Sequence, residues 1–256
     1  MKTKLIILGC GYSLGVPNLD GSWGKCNRNN KKNFRTRCSA LIKKGNNSVL
    51  IDTSPDIRKQ FIDNKIKDIS SVIYTHEHAD QTNGLFELRP IYFNKKKKID
   101  IYGNKKTINY LKSKFDYCFK YNGFYAPIVK ANFIKKKFSL GRSKNKVNFK
   151  TIQVKHGYTK STVYIFDKIA YISDCNDLSI ANLDELKNLK VLIIDSLKIK
   201  DNWAHFKLDE VLYIHNKLKP IKTILTNLHS DMDYNFLLKK LPKNILPAYD
   251  GLKVSS

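Results

Sequence analysis

Residues 74–84 read YTHEHADQTNG, and this stretch decides how the rest of the chain is interpreted. His76 and His78 are two positions apart, so on an extended segment their side chains project to the same side, and Asp80 continues that series. Imidazole and carboxylate groups are the ligands by which proteins hold zinc and related divalent ions. The stretch therefore predicts part of a metal centre. Other segments must supply further ligands, since about four to six donors surround each ion.

Further candidate ligands lie where short apolar runs end. The chain contains six histidines. Besides His76, the polar groups at or just past the ends of strand-like runs are His156, Asp174, Asp195 and His229. Strand ends deliver side chains to one edge of a sheet, where the sites of α/β proteins assemble. We therefore expect these groups to meet at a common site, with Asp174 placed to bridge two metals.

The apolar runs also predict the architecture. Short runs that alternate or are rich in β-branched residues indicate strands, and they include 5–8, 39–44, 48–53, 71–76, 98–103, 147–156, 161–166, 169–173, 191–195 and 223–228. Helical patterns come between them, at 55–63, 107–119, 182–189, 207–218 and 233–241. This arrangement predicts an α/β fold of two sheets packed face to face between helical layers. A length of 256 residues fits one large domain that spans 1–256.

The formal net charge of +25 is open to two interpretations. It favours a polyanionic partner such as nucleic acid. However, the lysines accompany many Asn and Ile residues, and an AT-rich genome favours the codons of all three, so mutational bias also accounts for an excess of lysine. In either case a positive surface attracts a small anionic substrate. We expect such a substrate, with nucleic acid as the less favoured partner.

The five cysteines are scattered, odd in number and never paired as CxxC. This pattern argues against a disulfide framework and against a four-cysteine zinc site, and predicts reduced thiols. The apolar run near the N-terminus is very short and is followed by GCGYSLG, so it predicts a buried first strand rather than a signal peptide. No run approaches the roughly 18 apolar residues of a membrane span. We expect a cytoplasmic protein without a membrane partner.

Taken together, the polar motifs resemble the metallo-β-lactamase superfamily of di-metal hydrolases. The motifs are HEHAD at 76–80, His156–Gly157, Ser173–Asp174 and a late histidine before an acidic cluster. Flanking stretches are more specifically similar to the cyclic-phosphate phosphodiesterase branch, which includes phosphoribosyl 1,2-cyclic phosphate phosphodiesterase. They are GCGYSLGVPNLDG (9–21), RTRCSALI (35–42), IDTSPDIRKQF (51–61), NGLFELRPI (83–91), TNLHSDMDY (226–234) and LPAYDGL (246–252).

The resemblance implies a four-layer αββα sandwich and a role for each matching residue. The implied metal ligands are His76, His78 and His156 for the first ion, Asp80 for the second, Asp174 as the bridge and His229 as the late ligand. His205 matches a histidine that acts as general acid or phosphate contact. Asp52 matches an acidic group that orients a ligand. The implied enzyme is a metal-dependent phosphoric diester hydrolase, and homodimerisation is a family-level expectation.

Two positions depart from the family pattern. The motif usually ends HxHxDH, and here its last residue is Gln81. The late motif often has histidine directly after threonine, where this chain has Asn227, and its histidine comes two positions later. Since positions i and i+2 share a face on an extended segment, we expect His229 to do the same work. The amide oxygen of Gln81 is a poorer zinc ligand than imidazole but suits harder ions such as manganese.

We therefore expect two divalent ions, zinc or manganese, with the second held weakly because of Gln81. Whether Gln81 or Asn227 contributes a ligand is left open. In the implied mechanism two ions roughly 3.5–4 Å apart hold a hydroxide that attacks a small cyclic phosphate diester. Asp80 orients the hydroxide, and His205 protonates the departing alkoxide.

Two other functions compete with this one. A nuclease of the tRNA 3′-end type shares the chemistry and is favoured by the basic charge, but a separate basic arm for tRNA does not stand out. A non-catalytic phosphate-binding module with a decayed second metal site is favoured by Gln81 and Asn227. The metal motif alone does not name the substrate, so β-lactamase or thioesterase activity also stays open. The aromatic stretch 115–128 is interpreted either as a lid or wall over the site or as core packing or a dimer contact.

Overall fold

The computed structural model describes residues 1–121, 123–200 and 202–256. The strands in those ranges are β1 Lys4–Gly9, β2 Ser39–Lys44, β3 Asn47–Ile51, β4 Ser71–Ile73, β5 Ile99–Gly103, β6 Val129–Phe133, β7 Lys137–Leu140, β8 Val147–His156, β9 Thr159–Phe166, β10 Ile169–Ile172, β11 Val191–Asp195, β12 Lys222–Thr226, β13 Ile245–Pro247 and β14 Lys253–Ser255. The α-helices are α1 Ile57–Asp63, α2 Ala79–Thr82, α3 Arg89–Lys95, α4 Lys105–Lys114, α5 Asp116–Phe119, α6 Ile180–Glu185, α7 Leu208–Leu218 and α8 Tyr234–Lys240. Short 3₁₀ helices span Lys31–Asn33, Leu85–Leu88 and Ser143–Asn145.

The strands form two seven-stranded sheets. The first has the order β14-β1-β2-β3-β4-β5-β6, and the second has the order β13-β12-β11-β10-β9-β8-β7. Each sheet is antiparallel at one end and parallel at the other. In the first sheet β3 to β6 are parallel neighbours, and in the second β10 to β13 are. Parallel neighbours place their carboxyl ends at the same edge, which is what brings the polar strand ends together.

Both faces of each sheet are covered, which explains why several strands are apolar without alternation. In β1, Leu5 and Ile7 point into a core shared with the second sheet, while Ile6 and Leu8 pack towards α1, α3 and α4. In the second sheet the outer residues, such as Leu192, pack against α6, α7 and α8. The molecule is therefore a helix–sheet–sheet–helix sandwich, and the predicted four-layer α/β fold is confirmed.

The predicted helix at 107–119 is divided in two. Phe115 has φ −126° and ψ 43°, so α4 ends at Lys114 and α5 begins at Asp116. The aromatic side chains of Phe115, Tyr117 and Phe119 pack on the outer core of the first sheet. Asn122, within the aromatic stretch, lies outside the described residues.

No helix in the described ranges is long and apolar enough to span a bilayer. All five cysteines are buried and free of disulfide bonds, as predicted.

Candidate metal centre

Strand ends carry the predicted ligands, and the structure brings most of them together. His76 lies just past β4, His156 ends β8, and Asp174 lies just past β10. Within the described ranges, two groups of three side chains have ligand atoms that all lie within 4.8 Å of one another. The members of the first group are His76, His78 and His156, and those of the second are His156, Asp174 and His205. His156 joins the two groups into one centre.

The first group has the features of a metal site. The imidazole of His76 is fully buried, yet its Nε2 has no hydrogen-bond partner. Burial lowers the pKa of His76 to about 3, so the ring is neutral and its unpaired nitrogen is available as a ligand. Nδ1 of His78 lies 3.1 Å from Nε2 of His156. An orphaned buried nitrogen that faces two further imidazoles is the donor set expected around a divalent ion.

A relay of hydrogen bonds sets the tautomer of His76. Oγ1 of Thr75 lies 3.0 Å from Nδ1 of His76 and donates to Oδ2 of Asp52 at 2.8 Å. With that hydroxyl proton directed to Asp52, Thr75 accepts from Nδ1–H of His76, and Nε2 is left for the metal. Asp52 is thus the orienting acid that the resemblance implies, although it acts through Thr75.

The ring of His156 is oriented in the same way by a backbone group. Its Nδ1 donates to the carbonyl oxygen of Ala204 at 2.8 Å. This contact leaves Nε2 of His156 directed towards His78 and, at 3.9 Å, towards Oδ1 of Asp174. The neighbour of Ala204 is His205, so one short segment both orients a ligand and supplies a further functional group.

Asp174 lies between the histidines and two amides. Burial alone would raise its pKa, but the imidazoles of His76, His156 and His205 lower that pKa to about 2, so the carboxyl is ionised. Nε2 of Gln81 donates to its Oδ2 at 3.4 Å, and Nδ2 of Asn227 donates to its Oδ1 at 3.2 Å. The central carboxylate therefore meets imidazoles on one side and amide N–H donors on the other.

Asp80 is positioned differently from the prediction. His78, two positions earlier, is extended, with φ −62° and ψ 153°, but Asp80 itself lies in the first turn of α2. The extended series that begins at His76 therefore ends at His78. Oδ2 of Asp80 accepts from Nε2 of Gln81 at 3.2 Å. Burial and the nearby charge of Asp174 raise the pKa of Asp80 to about 6.

His205 is paired with a carboxylate that the sequence did not assign to it. Nδ1 of His205 lies 2.7 Å from Oδ2 of Asp195, at the end of β11, and 3.8 Å from Oδ1 of Asp174. Burial would lower the pKa of His205, but the charge and hydrogen bond of Asp195 raise it to about 9. Burial raises the pKa of Asp195 only to about 6. At neutral pH the pair is therefore an imidazolium next to a carboxylate.

His229 belongs to neither group among the described residues. Its Nδ1 accepts from the backbone N–H of Asp231 at 3.1 Å, and its ring packs on Tyr12 with centroids 4.4 Å apart. The expectation that it shares a face with residue 227 requires an extended backbone, and Asn227 has a positive φ of 59°. The amide of Asn227 reaches Asp174, while the ring of His229 packs on Tyr12 and lines the cavity into which the centre opens.

The centre opens into a cavity of about 690 Å³. The residues of the centre that line this cavity are His78, Asp80, His156, Asp174 and His205. Lys198 also lines the cavity, and its positive charge favours an anionic ligand. Lys106 lies there too, but its ammonium is paired with Oε1 of Glu77 at 2.6 Å. None of the described residues of 115–128 lines this cavity, so none of them forms a wall of the site. Phe115, Tyr117 and Phe119 pack on the outer core, whereas Phe124 is 92% exposed.

Thr75 is a polar residue of the site that sequence reasoning missed. Asp195 was expected at the site as a carboxylate at the end of a strand, but its pairing with His205 was not predicted. For Asn227 a role as a ligand was left open. The contacts of Thr75 and Asn227 depend on backbone geometry that no periodicity reveals.

Comparison with known proteins agrees with this geometry. Residues 47–227, more than half of the chain, match the family model described as β-lactamase superfamily domain. The chain belongs to the metallo-β-lactamase superfamily. The resemblance predicted from the sequence motifs is thereby confirmed, and with it a metal-dependent hydrolase.

Solved structures similar to this superfamily member include a diphosphatase from the PhnP family. It is 31% identical, with a TM-score of 0.91, and the alignment covers 100% of this chain and 98% of the other. That identity over both lengths places the chain in the PhnP family. The short form of human tRNase Z is 13% identical with a TM-score of 0.69 and 98% coverage of each chain, a likeness that shows the fold alone.

A curated relative is similar in sequence over nearly the whole chain. It is the octanoyltransferase of Porphyromonas gingivalis, 26% identical over 254 residues, which are 98% of this chain and 51% of the relative. The chain therefore spans about half the length of the curated relative that it matches.

Proposed function

We propose that the chain is a metal-dependent phosphodiesterase that hydrolyses a small cyclic phosphate diester. The observation that carries the proposal is the pair of His205 and Asp195, which holds a proton beside Asp174 and the histidine ligands. An alkoxide is a poor leaving group at neutral pH and needs a proton as the P–O bond breaks. An imidazolium with a pKa of about 9 supplies one.

We assign the first metal to His76, His78 and His156, with Asp174 completing the set. Three imidazoles and a carboxylate suit zinc. A divalent ion bound there lowers the pKa of a coordinated water and polarises a phosphoryl oxygen. The chain's own residues supply the rest. Lys198 attracts the phosphate, and Nδ1 of His205 is held by Asp195, so Nε2 is the atom that delivers a proton.

Each hydrolysis consumes one water molecule. Oxygen from one water molecule bonds to phosphorus, and the bond from phosphorus to one ring oxygen breaks. That oxygen takes the proton of His205 and becomes a hydroxyl, while the water proton that is released returns to His205. The product is a ring-opened phosphate monoester. Because the leaving oxygen stays tethered, a single turnover opens the ring without releasing a fragment.

We propose that the second metal is bound weakly. The amide nitrogen of Gln81 donates to both Asp80 and Asp174, so it lies between two carboxylates where a second cation would need them as ligands. The amide nitrogen of Asn227 donates to Asp174 at 3.2 Å and to Oδ1 of Asp195 at 3.2 Å. Two N–H donors thus reduce the carboxylates' repulsion without a second ion.

A diphosphate is the second candidate substrate. It is favoured by the 31% identity to a diphosphatase of the PhnP family. A phosphate leaving group needs less protonation than an alkoxide, so the strongly basic His205 favours the cyclic diester.

Phosphorus NMR of the zinc- or manganese-loaded protein distinguishes the candidates when a ribose 1,2-cyclic phosphate, a nucleoside diphosphate sugar and a tRNA precursor are supplied in parallel. We expect turnover of the cyclic phosphate to be the fastest of the three and to be lost in His76→Ala. Preferred cleavage of the diphosphate or of the tRNA precursor would overturn the assignment.

A further inference from the structure

The edge of the sandwich opposite the metal centre carries a series of exposed lysines. The groups that form the centre follow the carboxyl ends of strands such as β4, β10 and β11, so the amino ends of those strands lie at the opposite edge. β8 runs in the same direction as β10, because both are antiparallel to β9. The lysines that form this basic edge are Lys98 before β5, Lys146 before β8, Lys168 before β10, Lys190 before β11, Lys222 at the start of β12 and Lys243 before β13.

Three lysines of the basic edge lie on directly neighbouring strands. The backbone N–H of Lys190 donates to the carbonyl oxygen of Lys168 at 2.8 Å, and that of Lys222 donates to the carbonyl oxygen of Lys190 at 2.9 Å. Neighbouring strands are about 4.8 Å apart, so these three side chains start within about 10 Å of one another. Like charges on adjacent strands repel and destabilise a sheet. An anion with several charges relieves this repulsion when it binds along the row.

Two acidic side chains at the same edge are paired with lysines that do not belong to the row. Oδ2 of Asp167, the neighbour of Lys168, accepts from Nζ of Lys44 at 2.9 Å. Oδ1 of Asp68, three residues before β4, lies 2.7 Å from Nζ of Lys95. These carboxylates therefore neutralise other lysines, and the basic edge keeps its positive charge for an external anion.

Exposed aromatic rings lie at the end of the basic edge that the first sheet provides. Ile99 pairs with Val129 in parallel register, so Lys98 lies beside the last residue of the aromatic stretch 115–128. Three exposed rings in or near that stretch are Phe93 at 48%, Tyr121 at 70% and Phe124 at 92%. Uncovered aromatic rings next to lysines are the combination by which proteins bind single-stranded nucleic acids, whose bases stack on the rings while the phosphates meet positive charge.

We infer that the basic edge and these exposed rings form a surface that binds single-stranded nucleic acid. A row of charges with rings at one end suits a strand, because its phosphates form a line and its bases are planar. Stacking tolerates any base, so the surface binds without sequence preference.

This surface is separate from the metal cavity. None of the six lysines or three rings is among the residues that line that cavity. β5 has five residues, which at about 3.3 Å each place Lys98 about 16 Å from the edge where the metal ligands lie. The inference therefore does not depend on the reaction assigned to the metal centre.

Fluorescence anisotropy of a dye-labelled oligouridylate of about 20 nucleotides measures the affinity of the metal-loaded protein as salt is varied. The test variant combines Lys168→Gln, Lys190→Gln and Lys222→Gln. We expect it to bind about tenfold more weakly at low salt, and the slope of log K against log salt to fall in magnitude by about 2, since each phosphate contact with a single strand contributes about 0.7.

The matched control removes three exposed lysines from the metal side. It combines Lys25→Gln, Lys155→Gln and Lys160→Gln, and therefore changes the net charge by the same amount. We expect both the affinity and the salt slope to stay close to the native values. Thermal unfolding shows that each variant is folded.

Phe124→Ala tests the stacking. We expect it to weaken binding of the oligouridylate about tenfold and to leave binding of inorganic polyphosphate, which has charge without bases, unchanged. Tyr158→Ala removes a 97% exposed tyrosine that lines the metal cavity and is the control, with no expected loss.

Equal losses in the two triple variants would overturn the inference, because binding would then follow the overall charge of +25 and not the basic edge. A loss in Tyr158→Ala without a loss in Phe124→Ala would also overturn it, since the strand would then lie at the metal cavity. Binding of phosphatidylserine vesicles without binding of the oligouridylate would replace the strand by a lipid surface.

Discussion

Nδ1 of His205 lies 2.7 Å from Oδ2 of Asp195, the last residue of a buried strand. The same carboxylate oxygen accepts from the backbone N–H of Cys175 at 2.9 Å, so its position is fixed from two directions. The pair keeps a proton on His205 beside the metal ligands, and this makes the site suited to expelling an alkoxide.

His205→Ala should therefore act according to the leaving group. For a cyclic phosphate, whose leaving group is an alkoxide, we expect kcat to fall by about 10²–10⁴. For bis(p-nitrophenyl) phosphate the loss should be much smaller, because p-nitrophenolate leaves without a proton. Steady-state kinetics on the two substrates, with metal content determined in parallel, checks this. Equal losses on both would show that His205 serves binding or metal retention and not proton transfer.

The pair of His205 and Asp195 should also set the pH dependence of kcat. As a general acid, His205 must be protonated, so kcat should fall as the pH rises through about 9. Asp195→Asn removes the charge that raises this pKa, so the falling limb should move to lower pH, towards the ordinary histidine value of about 6.5. A pH–rate profile of both proteins measures the shift. If the falling limb stayed in place in Asp195→Asn, the acid would have to be another group.

The amides of Gln81 and Asn227 should determine how many metal ions the protein retains. Native protein should retain about one tightly bound ion, because N–H donors and not lone pairs face Asp80 and Asp174. Changing both amides to histidine should raise the count to about two, since imidazole is a better ligand. Mass spectrometry of metal after exhaustive dialysis gives both values. Two ions retained by the native protein would show that the amides rotate and bind through oxygen.

Thr75 should raise the affinity for the metal although it is not itself a ligand. Thr75→Val removes the hydroxyl that links Asp52 to His76, and we expect the affinity for zinc to fall about 10- to 100-fold. Thr75→Ser keeps the hydroxyl and is the matched control. Competition with a chromophoric chelator measures the affinity, and thermal unfolding of the metal-free proteins reports on folding. Equal zinc affinities of the valine and serine variants would show that the hydrogen-bond relay through Thr75 does not affect metal binding.

Asp56 should contribute a pH-dependent part of the free energy of unfolding. Its carboxylate accepts from Nε, Nη2 and the backbone N–H of Arg37 at 2.7, 2.6 and 2.9 Å. Burial would raise the pKa of Asp56, but these contacts lower it, so its stabilisation is full above the unfolded pKa of about 3.9 and is lost as the pH falls below that. At neutral pH, Asp56→Ala should cost about 1.5–3 kcal/mol of unfolding free energy.

Asp63→Ala is the control for that measurement. It breaks an exposed ion pair with Lys59 within α1, which should contribute about 0.3–0.5 kcal/mol. Urea unfolding at neutral pH and near pH 3 compares the two variants with the native protein. A cost for Asp56→Ala that did not shrink at low pH would contradict the ionic explanation.

Much of the fold could be predicted because both faces of the sheets are buried. Runs such as residues 5–8 are apolar throughout, and their strand-like length, with polar groups at their ends, indicated sheets covered on both sides. The site could be predicted to the same extent. His76, His156 and Asp174 were identifiable because strand ends meet at one edge of the sheets.

The remaining contacts depend on backbone angles. Asn227 adopts a positive φ of 59°, so the extended backbone on which residues 227 and 229 would share a face is absent, and it is the amide of Asn227 that reaches Asp174. Asp80 leaves the extended series because α2 begins at Ala79. Neither change has a signature in hydrophobic periodicity, which reports which face is buried but not where a loop reverses.

The central claim is that the histidine centre and His205 together open a cyclic phosphate. Phosphorus NMR of a ribose cyclic phosphate, mixed with protein whose single metal ion has been verified, tests it most directly. We predict that the cyclic diester signal converts to that of a monoester with the native protein and persists with His205→Ala carrying the same metal content. Persistence of the diester with the metal-loaded native protein would contradict the account.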